Sequence, residues 1–305
     1  MKSKKALGRK LYLLLAVPFV TLSAAFIFFS LPSAHVSSQS VSGIQFRSQV
    51  WSGEIIITGD VTIIRDLTIL PGTVIKFKVQ DDQGKGLEVA PDGFNDDDPT
   101  RLISYAQSHA SLDINGKLLA QGTPEQPIVF TSAAAQPALA DWEAVSPGGG
   151  GSIIEHAVIE YSRNGISPAG SHLNSVFRNN VVRHTMWGCF SLGASSPQVI
   201  SNEVYDCGHE AIDVNGGSPL VEGNTIHDSH TGIVVLKGSP QIRNNVIRSF
   251  GDGIHVEPGA NPQLADNRIE PAPPNSTSEW RYGSFAYRAL DAPAQQTQQD
   301  AGSNK

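Results

Sequence analysis

Between Ile153 and Ile269, apolar and polar residues alternate in short runs, and the runs return at a fixed interval. One apolar column reads Phe177, Val199, Val221, Ile242 and Leu264, and a second reads Val182, Val204, Ile226, Ile247 and Ile269. Between them stand Asn180, Asn202, Asn224, Asn245 and Asn267, at steps of 22, 22, 21 and 22 residues. A glycine column follows (Gly165, Gly188, Ala211, Gly232, Gly253). After it, Ile212 and Val214, Ile233 and Val235, and Ile254 and Val256 are expected to point inward. Asp213, Val234 and His255 are then expected to point outward. Short alternations punctuated by Gly, Pro, Asn and Ser are strand-and-turn chemistry. A repeat of this length marks a solenoid in which each copy is one coil. Three inward columns per coil predict a three-sided prism whose coils pair as parallel strands. The Asn column predicts an internal amide ladder at a tight turn, a position where Asn tolerates left-handed backbone geometry.

The pattern extends upstream with interruptions. Residues 33–50 read as a polar linker, and the first coils run from Trp51 to Phe77, with a turn at Pro71-Gly72. Residues 79–110 break the regularity and read as a loop excursion from one corner, because insertions in solenoids collect on one side. Coils resume at Leu112, pass an Ala/Pro loop at Ala133–Ala140, and reach a flexible glycine turn at Ser146–Ser152. In residues 271–305 the pattern ends. Trp280, Tyr282, Phe285 and Tyr287 are expected to cap the last coil, and the tail from Ala292 is expected to be disordered.

These residues carry a resemblance. The repeats, with WSGEIIITGDVTIIRDLTILPGTVIKF from Trp51, LDINGKLLAQGTPEQPIVFTS from Leu112 and ADW at Ala140, resemble the right-handed parallel β-helix repeat family, of pectate-lyase-like fold and bacterial cell-surface type. The resemblance implies an all-β, single-stranded right-handed parallel β-helix over residues 51–270. It leaves activity open, since the scaffold serves lyases, hydrolases, epimerases and non-catalytic surface proteins. The catalytic sets of its active relatives are missing. Gly208-His209-Glu210 is a partial echo of a polygalacturonase-like motif, the Asp-Pro-His-Asp signature of epimerase-like relatives is absent, and Arg183 and Arg248 lack a facing calcium-binding carboxylate cluster.

The amino terminus changes the picture of where this rod resides. Residues 1–10 are basic, with Lys2, Lys4, Lys5, Arg9 and Lys10, and an apolar span follows at 11–32. Its uncharged core, Leu11–Leu31, would cover about 31 Å as a helix, enough to cross a bilayer. Positive charge before the run predicts a cytoplasmic amino terminus and an extracytoplasmic remainder, either as an uncleaved single-pass anchor or after cleavage as a signal. The whole chain carries a formal charge of −7, so without those five positive charges the exported part stands at −12. Such a rod is expected to be a poor partner for nucleic acid and also, taken as a whole, for anionic membrane surfaces.

Candidate chemistry gathers at one corner. Counting back from the glycine column places Trp187, Glu210, Thr231 and Asp252 on one line and Met186, His209, His230 and Gly251 beside it. A carboxylate beside an imidazole suggests acid–base catalysis by His209, Glu210, His230 and Asp252, or a metal site. Trp187, Asp213 and His255 suggest ligand contacts, with Trp187 as an aromatic platform for a sugar. Asp96, Asp97 and Asp98 suggest calcium, although no cofactor is required. Cys189 is expected in the inward column of Ile212 and Ile233 and Cys207 at a corner of the next coil, so the two are expected not to be bonded. The expected protein is a non-catalytic surface or binding module at the cell membrane, with a polysaccharide or cell-envelope component as its partner. A carbohydrate-active lyase, hydrolase or epimerase and a periplasmic metal-handling protein are the alternatives.

Overall fold

Parallel pairing between residues one repeat apart builds the molecule. In the computed structural model, which describes residues 38–79 and 109–271, Val182, Val204, Ile226, Ile247 and Ile269 are successive register partners. Phe177, Val199, Val221, Ile242 and Leu264 form a second inward column, and Ile212, Ile233 and Ile254 a third. These side chains are buried except at the last coil, where Leu264 and Ile269 are only partly covered. Each aliphatic packs on its equivalents above and below, so every layer is covered by its neighbours rather than by a separate hydrophobic element. Among the described residues the architecture is all-β, and no helix is long and apolar enough to cross a membrane. The chain divides into Met1–His35 and Val36–Lys305, and every described residue belongs to the second unit. The expected membrane span, nearly all of the 79–110 excursion and the 272–305 segment lie outside the described residues.

Every coil visits three faces in one order. Face one holds Glu203–Cys207 and its equivalents, face two Glu210–Asn215, and face three Leu220–Glu222. The long strand Glu54–Ile63 turns the corner between the first two faces: its first half pairs with Val74–Phe77 and its second with Leu112–Ile114. Face two continues through Val145–Pro147 and single bridges at Ile166 to Phe190–Ser191. The prism begins earlier than the polar linker suggested. Gln39–Gln45 already pairs along Glu54–Ile63, and Gln49–Trp51 with Leu67–Ile69. An end coil has one neighbour rather than two, so this stretch buries little beyond Val41 and Trp51 and carries a weak apolar pattern.

The Asn column forms the expected ladder. Asn224 Nδ2 donates to Asn245 Oδ1 at 2.9 Å and to the Val199 carbonyl at 3.0 Å. Its Oδ1 accepts from the backbone N–H and Nδ2 of Asn202, both at 2.9 Å. The same set recurs from Asn180 to Asn267. One detail of the expectation is corrected: the left-handed residue is the one before each ladder Asn, namely Asn179, Ser201, Gly223, Asn244 and Asp266, with φ from 53° to 66°. That residue bends the chain so the next side chain enters the corner. The glycine turn after Pro147 is also packed rather than flexible, because a Cβ on Gly149 would meet the Gly116 carbonyl at 2.4 Å.

Candidate functional site

The corner between faces one and two breaks the strand alternation. In Val181–Thr185 and Glu203–Cys207 two successive residues face outward before the next turns inward. The cause is a second left-handed column: Tyr161, His184, Asp206 and Asp228 have φ between 51° and 63°. Asp206 therefore stays outside and Cys207 swings in, where it pairs in register with Thr185 and is 1% exposed. Thr185 Oγ1 lies 3.3 Å from Cys189 Sγ across the same corner. This brings Cys207 of one coil against Cys189 of the one before, and the two form a disulfide with Cα atoms 5.7 Å apart. The expected separation of the two cysteines is thus overturned. Spacing alone sets Cys207 at a corner, in a different column from Cys189; the left-handed Asp206 turns it inward to meet Cys189.

The same coil corrects the glycine column. Phe190, not Cys189, pairs with Ile212, because the corner after Asn180 is one residue longer than those after Asn224 and Asn245. Cys189 takes the small-residue position of Ala211 and Gly232. Trp187 moves with it, falling in register with His209 rather than Glu210. The outward row along the corner is therefore Trp187, His209 and His230, with Glu210 and Asp252 one residue further on.

The structure brings His209, Glu210, His230 and Asp252 to one patch. The His209 and His230 rings are 6.2 Å apart, tilted by 53°, and His209 Nδ1 is set against Glu210 Oε2. Burial, joined by the neighbouring His230, pushes His209 down to about 4, and burial also lowers His230 against the pull of Asp252. Both imidazoles are neutral at pH 7. On the adjoining face, Asp213 and His255 point outward with Val234 in register between them, so they do not touch. Burial pushes Asp213 up to about 6, partly offset by a hydrogen bond with Ser191. His255 is gripped at both ring nitrogens, by Asp252 at 2.9 Å and Glu257 at 3.2 Å, and these two carboxylates raise its pKa.

Trp187 is not an open platform. The Arg163 guanidinium covers its ring at 4.4 Å from the centroid, and Arg163 is paired in turn with Glu143 at 2.5 Å. Sequence reasoning missed Arg163 and Glu143, which lie before the first Asn of the ladder column; only the residue count back along the corner could have found them. It also missed the outer face-one ladder, where Arg183 bridges Glu160 at 2.7 Å and donates to the Tyr205 hydroxyl at 2.7 Å. Tyr205 stacks on His227 with centroids 4.7 Å apart, and His184 bonds Asp206 at 2.6 Å. Rings stacked at the spacing of the strands present edges, not faces, to solvent.

This corner also collects the irregular segments. The chain leaves face one at Phe77 and re-enters face two at Leu112, so the acidic excursion departs from this corner. Asp96, Asp97 and Asp98 within it lie outside the described residues. A second departure runs from Ser132 to Val145. It is fixed by Trp142, which stacks on Phe77 at 3.9 Å and donates to the Glu160 carbonyl at 3.0 Å. Among the described residues, no group of three or more His, Cys, Asp or Glu is arranged to hold a metal ion.

Residues 144–284, just under half of the chain, match a family model described as the right-handed beta helix region. No curated protein and no solved structure matches the chain.

Proposed function

We propose that this prism, of which residues 144–284 match the right-handed beta helix region, is a binding module whose corner between faces one and two engages a polysaccharide or other envelope component without turning it over. In this reading the apolar run at residues 11–32 anchors it as a single-pass protein with the helix outside the cytoplasm. One observation carries the proposal: the chain's two long departures and its row of outward titratable side chains share a single corner. Binding residues concentrate on loops held by a rigid scaffold. A row that repeats every coil, about 4.8 Å apart, suits a polymer that also repeats. Neutral imidazoles and amides hydrogen-bond hydroxyls without demanding charge, and the acidic balance of the chain disfavours polyanions.

The reading without turnover draws on His255, whose two ring nitrogens are both held by carboxylates. A second reading, as a lyase, hydrolase or epimerase, is favoured by one fact: His209 at the corner and Asp213 on the adjoining face have protonation equilibria displaced in opposite directions, the arrangement that separates acid from base roles. The full chain in detergent, screened against a polysaccharide panel for binding and for new reducing or unsaturated ends, distinguishes them. Binding that weakens about tenfold in His209→Ala/His230→Ala, with no new ends, supports the module. Turnover abolished by the same substitutions overturns it in favour of the enzyme.

A further inference from the structure

We propose that the corner joining face two to face three, over the first three coils, is a docking surface for an anionic lipid bilayer. Gln39–Gln45 and Gln49–Trp51 are terminal strands of their sheets among the described residues. The side chains around the turn between them stand out from the prism: Phe46 is 74% exposed, Val50 68% and Ile44 58%. Three large apolar groups within seven residues on one coil form a patch, unlike the single exposed leucines elsewhere.

Basic residues line the same corner. Gln45 pairs with Ile63 and Gln49 with Leu67, which places Arg47 over Arg65. Ile63 pairs with Ile114 and Leu67 with Leu118, which places Lys117 on the next coil. All three cations are exposed, and none has a side-chain ion pair among the described residues. The one carboxylate in these turns, Asp66, accepts the Lys117 backbone N–H at 2.8 Å. In a chain of net charge −7, this ridge is locally positive.

Apolar side chains flanked by Arg and Lys suit a headgroup layer: the apolar groups enter the acyl boundary and the cations meet phosphates. A second copy of the chain is a worse occupant, because two positive ridges repel. Chain length favours lipid as well. Five residues, 33–37, separate the apolar run at 11–32 from Ser38, so the first coil starts within about 22 Å of where that run ends. The inference rests on the anchored reading above for this proximity alone.

The test uses the full chain in vesicles of phosphatidylcholine with phosphatidylglycerol. A Phe46→Trp variant adds one emission signal relative to the unsubstituted chain, and brominated lipids report its contact with the acyl region. The added signal is expected to be quenched by bromolipid and shielded from aqueous iodide. Arg47→Glu, Arg65→Glu and Lys117→Glu in that background should each shift the docked-to-free ratio about fivefold towards free. About 0.5 M salt should reproduce the loss without further substitution. A chain that floats with vesicles while its added signal answers only to iodide overturns the docking surface and leaves the anchor standing. A chain that does not float overturns both.

Discussion

The two corners that flank face one are built on the same device and put to opposite uses. Each turns on a left-handed residue: Ser201, Gly223 and Asn244 at one, His184, Asp206 and Asp228 at the other. At the first, the next side chain is an amide driven into the interior, where every donor and acceptor meets its counterpart on the adjacent coil. At the second, the inward residues differ in kind from coil to coil, with Cys207, Ser229 and Phe250 among them, while imidazoles and carboxylates face out. The first repeats with almost no variation. The second gains a residue after Asn180 and Asn202 and releases two long departures. A corner whose polar groups are all satisfied internally tolerates no variation, since one lost partner strands several others. A corner whose polar groups face water can vary freely, and can therefore acquire chemistry.

The largest test of that contrast is a pair of truncations. Asn224→Ala removes four hydrogen bonds and leaves the Val199 carbonyl and the Asn202 amide unsatisfied in the interior, at an expected cost of about 4 kcal/mol. His230→Ala at the opposite corner should cost about 1 kcal/mol or less. Denaturant midpoints measure both, and equal losses would erase the distinction drawn between the corners.

Next in size is the disulfide, which lends the variable corner the rigidity its side chains do not supply. It closes a separation of 18 residues, for which loop entropy gives about 3 kcal/mol. A Cys189→Ala/Cys207→Ala chain should melt lower by that amount. Alkylation without reductant should leave the mass of the unsubstituted chain unchanged.

The smallest effect is in the acid response of His209 and of Asp213 on the face that follows the variable corner. His209 sits near 4 in the fold, below the ordinary value of about 6.5. The unfolded chain then takes up the proton first, and stability falls as the pH drops from about 6.5 to 4. Asp213, near 6 in the fold, acts with the opposite sign: the folded state takes up the proton first, so stability rises as the pH falls from about 6 towards its unfolded value of 3.8. Between pH 6 and 4 the two slopes oppose each other. His209→Gln should flatten or reverse the loss of stability on acidification, and Asp213→Asn should steepen it. Solvent at this half-exposed corner limits each change to about 1 kcal/mol. Melting curves across that range check the signs, and parallel curves for all three chains would sever the link to these residues.

Much of the prism was legible because its period is written in β-branched residues that have one way to be buried. Val182, Val204 and Ile226 name their own partners by spacing alone, and Asn202 to Asn224 to Asn245 names the ladder. The candidate corner was legible in membership but not in register. Asp and His enter the left-handed region more often than most residues but far less readily than Gly, so Asp206 and His184 announce it only weakly. Without that turn, Cys189 and Cys207 fall in different columns, and the disulfide stays hidden. The extra residue after Asn180 likewise displaced Trp187 by one and concealed that His209, not Glu210, lies beneath it.

The sequence by itself determined that the chain coils, how long each coil is, which three columns fill the interior and which amides stack. Those follow from periodic burial, a property every copy states independently and redundantly. Tertiary structure decided what happens where the copies differ: which way the chain turns at a non-glycine left-handed residue, which sulfur meets which, and that Arg163 covers Trp187. Such features arise from one contact between unlike residues on neighbouring coils, so no repetition in the sequence could reveal them.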